Sequence, residues 1–158
     1  MRIWILAVGR PGRLLGGAIE EYERRAARYW SLATLEVKEE RATGGRSPER
    51  VREAEAARVL ERVPAGAELV ALTREGERWS SEEFAGYLDR LAVEAQPGAA
   101  FVIGGAYGLG PAVIRAARHR LSLSAFTLPH DMARLLLAEQ LYRAGTIVRG
   151  EPYHKATG

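Results

Sequence analysis

Five short apolar runs, each followed by a stretch of helical spacing, recur along the whole chain, and this alternation restricts the fold more than any other feature. Ile3–Val8 reads as a buried strand, and a helix is predicted near residues 13–30, with Leu14, Leu15, Ala18, Ile19, Tyr22 and Ala26 on one face. Leu32–Val37 alternates as a second strand, followed by a polar loop over residues 41–47. Ser47-Pro48 supplies an N-cap and a first-turn proline for a helix to about Arg62. Glu68–Thr73 is the third strand, and Ser80 with Glu83 forms a capping box that starts a helix to about Ala95. Ala99–Ile103 is the fourth strand, Pro111 opens a short helix to about Arg118, and Leu121–Leu128 is the fifth strand. A helix from about Asp131 to Gly145 completes the set, and the tail Arg149–Lys155 has no periodicity. Strands separated by helices return in the same direction, so the pattern predicts an α/β fold: a mostly parallel sheet covered by helices on both faces. No linker-like segment or internal repeat divides the 158 residues, so residues 1–158 form one expected domain.

Composition removes several kinds of chemistry. The chain has no cysteine, which excludes disulfides, thiolate zinc sites and cysteine nucleophiles. His119, His130 and His154 lack metal-ligand spacing, so no metal site is expected. The apolar start Met1–Val8 meets Gly9-Arg-Pro-Gly12 too soon for a signal segment, and no run approaches the roughly 18 apolar residues of a membrane span. A cytoplasmic protein without membrane contact is expected. The net charge of +3 is uneven: residues 101–158 carry seven Arg and Lys against three acids, while the first hundred residues are nearly balanced. A basic C-terminal third suits an anionic partner such as RNA. Only Lys38 and Lys155 are lysines, an arginine bias that a GC-rich genome would also produce.

Two segments stand out as site material. Phe101–Gly110 is a buried strand opening into Gly104-Gly-Ala-Tyr-Gly-Leu-Gly110, where backbone N–H groups can approach a small ligand. Its glycine spacing matches neither the dinucleotide fingerprint nor the P-loop, and it follows the fourth strand rather than the first. Leu121–Leu128 ends at Pro129-His130, with Ser124 and Thr127 placed to hydrogen-bond a ligand at the strand end. A Ser124–His130–Asp131 triad lacks the required elbow motif and is rejected. On the last helix Arg134 and Tyr142 share a face with Arg143 about 100° further round, a pattern that a solvated helix face would also produce. The tail Tyr153-His-Lys155 offers an aromatic ring, an imidazole and a cation, groups able to stack on and contact a nucleotide.

Taken together, Val8-Gly9, Phe101–Gly105 with Gly108-Leu109, Leu121–His130, Glu139–Ala144 and Tyr153–Lys155 closely resemble the ribosomal RNA large subunit methyltransferase H family of SPOUT-class enzymes. The resemblance runs the length of the chain. It implies a C-terminal trefoil knot, S-adenosyl-L-methionine as cofactor, and methylation of N3 of pseudouridine 1915 in helix 69 of 23S rRNA on the assembled 70S ribosome. It implies that Leu72, Thr73, Gly104, Gly105, Leu123, Ser124, Ala125, Phe126, Thr127 and Leu128 line the cofactor. It also implies a homodimer in which the tail of one subunit completes the other's substrate site. On that basis Arg143, His154 and Tyr142 are the candidate catalytic residues, and His130, Arg134, Tyr153 and Lys155 the candidate RNA contacts. The alternatives are a catalytically silent RNA-binding or ribosome-assembly factor, and a methyltransferase for another RNA or a metabolite. Gly145 stands where relatives commonly carry a bulky residue.

Overall fold

The computed structural model describes residues 1–155, with the side chains of His154 and Lys155 outside the described set. Five strands make one parallel sheet in the order β2-β1-β4-β3-β5. The strands are β1 (Arg2–Val8), β2 (Ser31–Val37), β3 (Glu68–Arg78), β4 (Gly98–Ile103) and β5 (His119–Ser122). Between them lie α1 (Arg13–Ala26), α2 (Pro48–Arg62), α3 (Ser81–Val93) and α4 (Pro111–Ala116), and α5 (His130–Val148) follows β5.

All six residues of β4 are buried, as expected of a strand flanked on both sides and covered on both faces. Its side chains alternate between two cores. Ala99, Phe101 and Ile103 face α3 and α5 through Phe84, Leu88, Leu137 and Leu141. Ala100 and Val102 face α2 and α4 through Ala56, Val59 and Val113. The helices start where local chemistry directs. The Ser47 hydroxyl accepts from Arg50 N–H with Pro48 at the first helical position, and Ser80 and Glu83 close a reciprocal capping box.

The structure departs from the sequence pattern at two strands. β5 stops at Ser122 rather than Leu128. The Ser122 hydroxyl donates to the Ser124 carbonyl, and the Ser124 hydroxyl accepts from Phe126 N–H, so local side-chain bonds replace the sheet ladder. β3 runs on to Arg78, five residues past the predicted end, with a bulge: Leu72 and Glu77 both pair with Leu121, and residues 73–76 loop out between them. Gly76 allows this, since a Cβ there would lie 2.6 Å from the Arg120 carbonyl oxygen. α5 starts at His130 and extends to Val148, and Pro152–Lys155 form a 3-10 turn.

Candidate active site

The carboxyl ends of β3, β4 and β5 open onto a cleft of about 660 Å³, the place where ligands bind open parallel sheets. Three irregular segments build it. The β3 bulge supplies Thr73, Arg74 and Glu75; the loop after β4 supplies Gly105–Leu109; the turn after β5 supplies Leu123, Ser124 and Phe126–Leu128. The glycine loop turns sharply at Gly105–Gly108, closed by a 3.0 Å bond from Gly108 N–H to the Gly105 carbonyl, with Gly108 at a φ of 80°. A Cβ at Gly104 would sit 2.7 Å from the Gly108 carbonyl carbon, so the loop can fold back on itself only over a bare Cα.

Of the residues expected to hold the cofactor, Leu72, Thr73, Gly105, Leu123, Ser124, Phe126, Thr127 and Leu128 line this one cleft. Gly104 and Ala125 do not: Gly104 shapes the loop from behind, and Ala125 is exposed. Sequence reasoning missed Arg52 on α2, Arg74, Glu75, Ile114, Arg120 and Ala133. Gly76 falls beyond the predicted strand Glu68–Thr73, so the bulge that carries Arg74 and Glu75 to the cleft had no signal in the strand pattern. Arg52 carried no signal either, because it reaches the cleft only through packing of α2 against the glycine loop, where it donates to the Tyr107 carbonyl at 3.3 Å.

The walls combine apolar side chains (Leu72, Leu109, Ile114, Leu123, Leu128) with three arginines, Arg52, Arg74 and Arg120. Arg74 donates to the Thr127 hydroxyl at 2.9 Å, joining the β3 bulge to the last turn. Thr73 Oγ1 is buried without a hydrogen-bond partner among the described residues. A buried hydroxyl left unpaired is costly unless a ligand completes it. The size, the apolar walls and the few convergent polar groups fit a nucleoside-sized ligand with a charged tail, and S-adenosyl-L-methionine has that chemistry.

A second cluster sits toward the far end of α5. Arg143 binds Glu139 through a 2.6 Å ion pair, and Tyr153 donates to the same carboxylate at 3.1 Å. The Arg143 guanidinium lies 5.1 Å from the Tyr153 ring centre, and Tyr142 packs 4.5 Å from Tyr153 and 5.7 Å from Tyr29. Glu139's hydrogen bond raises the Arg143 pKa above its already high ordinary value, so the guanidinium stays charged. Burial, then the Glu139 charge, pushes the Tyr153 phenol up to about 12, so it remains a proton donor rather than a base near neutrality. Arg143 lies ten positions beyond Ala133, the cleft residue on α5, a separation of about 15 Å along the helix.

The remaining expected residues fall elsewhere. His130 opens α5, half-exposed, with Nε2 3.1 Å from Asp131 Oδ1. Arg134 was expected to face RNA, but it is only 5% exposed and bonds Glu23 at 2.7 Å and Glu36 at 3.4 Å. Its face of α5 meets α1 rather than solvent, which is also why Tyr142, two turns on, packs against Tyr22 and Tyr29. The His154 and Lys155 side chains lie outside the described residues. Among the described residues no helix is long and apolar enough to cross a membrane, and no group of acidic or histidine side chains could hold a metal.

Comparison with known proteins agrees with this geometry. The family model described as predicted SPOUT methyltransferase matches residues 1–154. The chain is 53% identical over 158 residues to the ribosomal RNA large subunit methyltransferase H of Gemmatimonas aurantiaca, covering 98% of this chain and 100% of that one. It is 46% identical over 156 residues to the protein of that name from Syntrophotalea carbinolica, at 98% and 99% coverage. In fold it is similar to the crystal structure of a probable methyltransferase from Bordetella pertussis, with a TM-score of 0.51 and 19% identity over 90% of this chain and 95% of the other. With whole-length identity near one half and a family match reaching from β1 into the tail, the chain belongs to the SPOUT methyltransferases and, within them, to the ribosomal RNA large subunit methyltransferase H family.

Proposed function

We propose that this protein transfers a methyl group from S-adenosyl-L-methionine to N3 of a pseudouridine in the helix-69 loop of 23S rRNA, in the cytoplasm, on the assembled 70S ribosome. The observation that carries this reading is the cleft itself: residues from the ends of three adjacent strands enclose a nucleoside-sized space with an unpaired buried hydroxyl on its wall. The names of the full-length relatives supply the substrate class.

The bound donor supplies a methyl already activated on a sulfonium, so alignment with the acceptor is the main demand on the protein. The acceptor N3–H is largely protonated at neutral pH. Its proton must leave as the N–CH₃ bond forms and the S–CH₃ bond breaks, with the electron pair passing to sulfur. Arg143, held charged by Glu139, stabilises negative charge on the uracil oxygens. His154 takes the proton, directly or through water, and Tyr153, backed by Tyr142, stacks on the base. His130 and Lys155 contact the surrounding RNA.

The reading includes a homodimer. About 15 Å along α5 separates the cleft from the arginine cluster of the same chain, which favours a site shared between two subunits. A second subunit brings its own cluster and tail to the cleft. α1 and α5 leave Leu14, Met132 and Leu136 exposed, apolar surface of the kind an interface covers. The reading includes a trefoil knot, supported by β5 pairing at the outer edge of β3 while α5 returns to pack on α1.

Labelled donor incubated with 70S particles from a strain lacking the gene, followed by mass mapping of the large-subunit RNA, tests the reading. One methyl on the helix-69 pseudouridine is expected. Under single turnover, Arg143→Ala and His154→Ala should slow transfer while donor affinity stays near wild type. Absence of methyl transfer to 70S particles refutes the substrate assignment, and wild-type rates in His154→Ala remove its role as proton acceptor.

A further inference from the structure

Glu55 is a carboxylate that the proposed chemistry does not use. It lies on α2 and is only 4% exposed, although acidic side chains are rarely buried without full pairing. Oε2 accepts from Glu40 N–H at 3.0 Å, and Oε1 has no partner among the described residues. Both oxygens press against the floor of the glycine loop: a Cβ at Gly105 would lie 3.1 Å from Oε1 and 3.2 Å from Oε2, with Val8 Cγ1 also at 3.1 Å. The carboxyl thus occupies the space behind Gly105 while the cleft lies in front of it.

We propose that Glu55 is the positioning residue for the 104–109 loop, a polar wedge that sets how deeply Gly105 sits and hence how tightly the cleft grips its methyl donor. The proposal rests on the donor reading for its ligand, and on the loop alone for its geometry. The charged groups facing Glu55 are Glu39, Glu40 and Arg58. Arg58 cannot neutralise it fully, because its guanidinium is taken up by Glu40 and by the Lys38 carbonyl. The other two are themselves acidic. Gly105 and Val8 on the remaining sides bring no charge. Burial, the largest influence, raises the carboxyl above its ordinary value of 4.5. The wedge fits best when protonated. Ionisation leaves a buried charge with one oxygen unpaired, which favours water entry and lifting of the loop.

Two measurements on the full chain decide the matter: amide hydrogen exchange of residues 104–109, and S-adenosyl-L-methionine affinity by calorimetry across a pH series. Glu55→Ala empties the wedge, so exchange at 104–109 should accelerate and donor affinity fall, each on the order of tenfold. Glu55→Gln keeps shape and neutrality, so it should retain wild-type exchange and affinity at mildly acid pH. It should also lose the wild-type decline in affinity as pH rises through the Glu55 titration. A purely structural role would lower the melting temperature of Glu55→Ala without moving the Kd of the folded protein. Wild-type exchange and Kd in Glu55→Ala, or identical pH profiles for wild type and Glu55→Gln, overturn the proposal. A wild-type protein with no donor affinity refutes the donor reading instead, and the exchange measurement still decides the role of Glu55.

Discussion

Replacing Arg134 by Met separates a structural arginine from one that meets RNA. The side chain is 6% exposed and is held by Glu23 through Nε at 2.7 Å and Nη2 at 3.4 Å, with Glu36 at 3.4 Å from Nη1. Removing one member of a buried ion pair costs about 3–5 kcal/mol, because the partner is left charged and desolvated. Here the full penalty does not apply. Glu36 is 38% exposed and keeps Arg10 at 3.5 Å, so it loses little. Glu23 loses both its bonds to Arg134, but at 15% exposure it can regain some water. Methionine also preserves most of the aliphatic volume. We therefore expect a loss of about 2–3 kcal/mol. At roughly 2–4 °C per kcal/mol for a chain of this size, the melting temperature should drop by about 5–10 °C. Adding Glu23→Gln to Arg134→Met should recover part of the loss, since the amide needs no counter-charge. Thermal unfolding followed by circular dichroism at fixed protein concentration checks both. An Arg134→Met protein that melts within a degree of wild type yet fails to methylate ribosomes would refute the buried-pair argument and return Arg134 to the RNA surface.

Other perturbations probe different parts of the molecule. Gly145→Ala should destabilise by about 1–3 kcal/mol in chemical denaturation although alanine is the better helix former, because its Cβ would lie 2.4 Å from Tyr29 Cγ. Gly104→Ala should leave the melting temperature less affected than donor affinity, which calorimetry should find on the order of tenfold weaker or worse as the Gly108–Leu109 backbone is forced outward. For Tyr153, with its phenol pushed up to about 12, the folded chain holds the proton more tightly than the unfolded chain, where it titrates near 10. The associated stability is present below about pH 10 and lost as pH rises toward about 12, and Glu139→Gln should lower the ultraviolet phenolate titration of this residue. Ser80→Ala should cost about 1 kcal/mol in denaturant unfolding by opening the capping box at the start of α3.

The sheet was legible because its determinants are local: β4 is apolar throughout, and Ser47-Pro48 and Ser80–Glu83 carry their cap signals within four residues. The cleft was legible in part for the same reason, since a bare-Cα loop and a polar strand end announce themselves in sequence. What could not be read depends on partners distant along the chain. Nothing near Arg134 reveals that Glu23, 111 positions earlier, will take its charge. Nothing near Gly145 reveals that Tyr29 will fill the space over its bare Cα. The first contact belongs to the packing of α5 on α1 and the second to the turn just after α1, so the face of α5 that sequence periodicity allows to be solvated becomes an interior seam. That seam has a functional consequence. Tyr142 and Tyr29 are anchored within it, and Tyr142 in turn supports Tyr153 and the Arg143–Glu139 pair. The arginine proposed to stabilise the base anion is therefore held by Glu139, one turn back on α5, and lies against the tail ring of Tyr153, which Tyr142 backs from the seam.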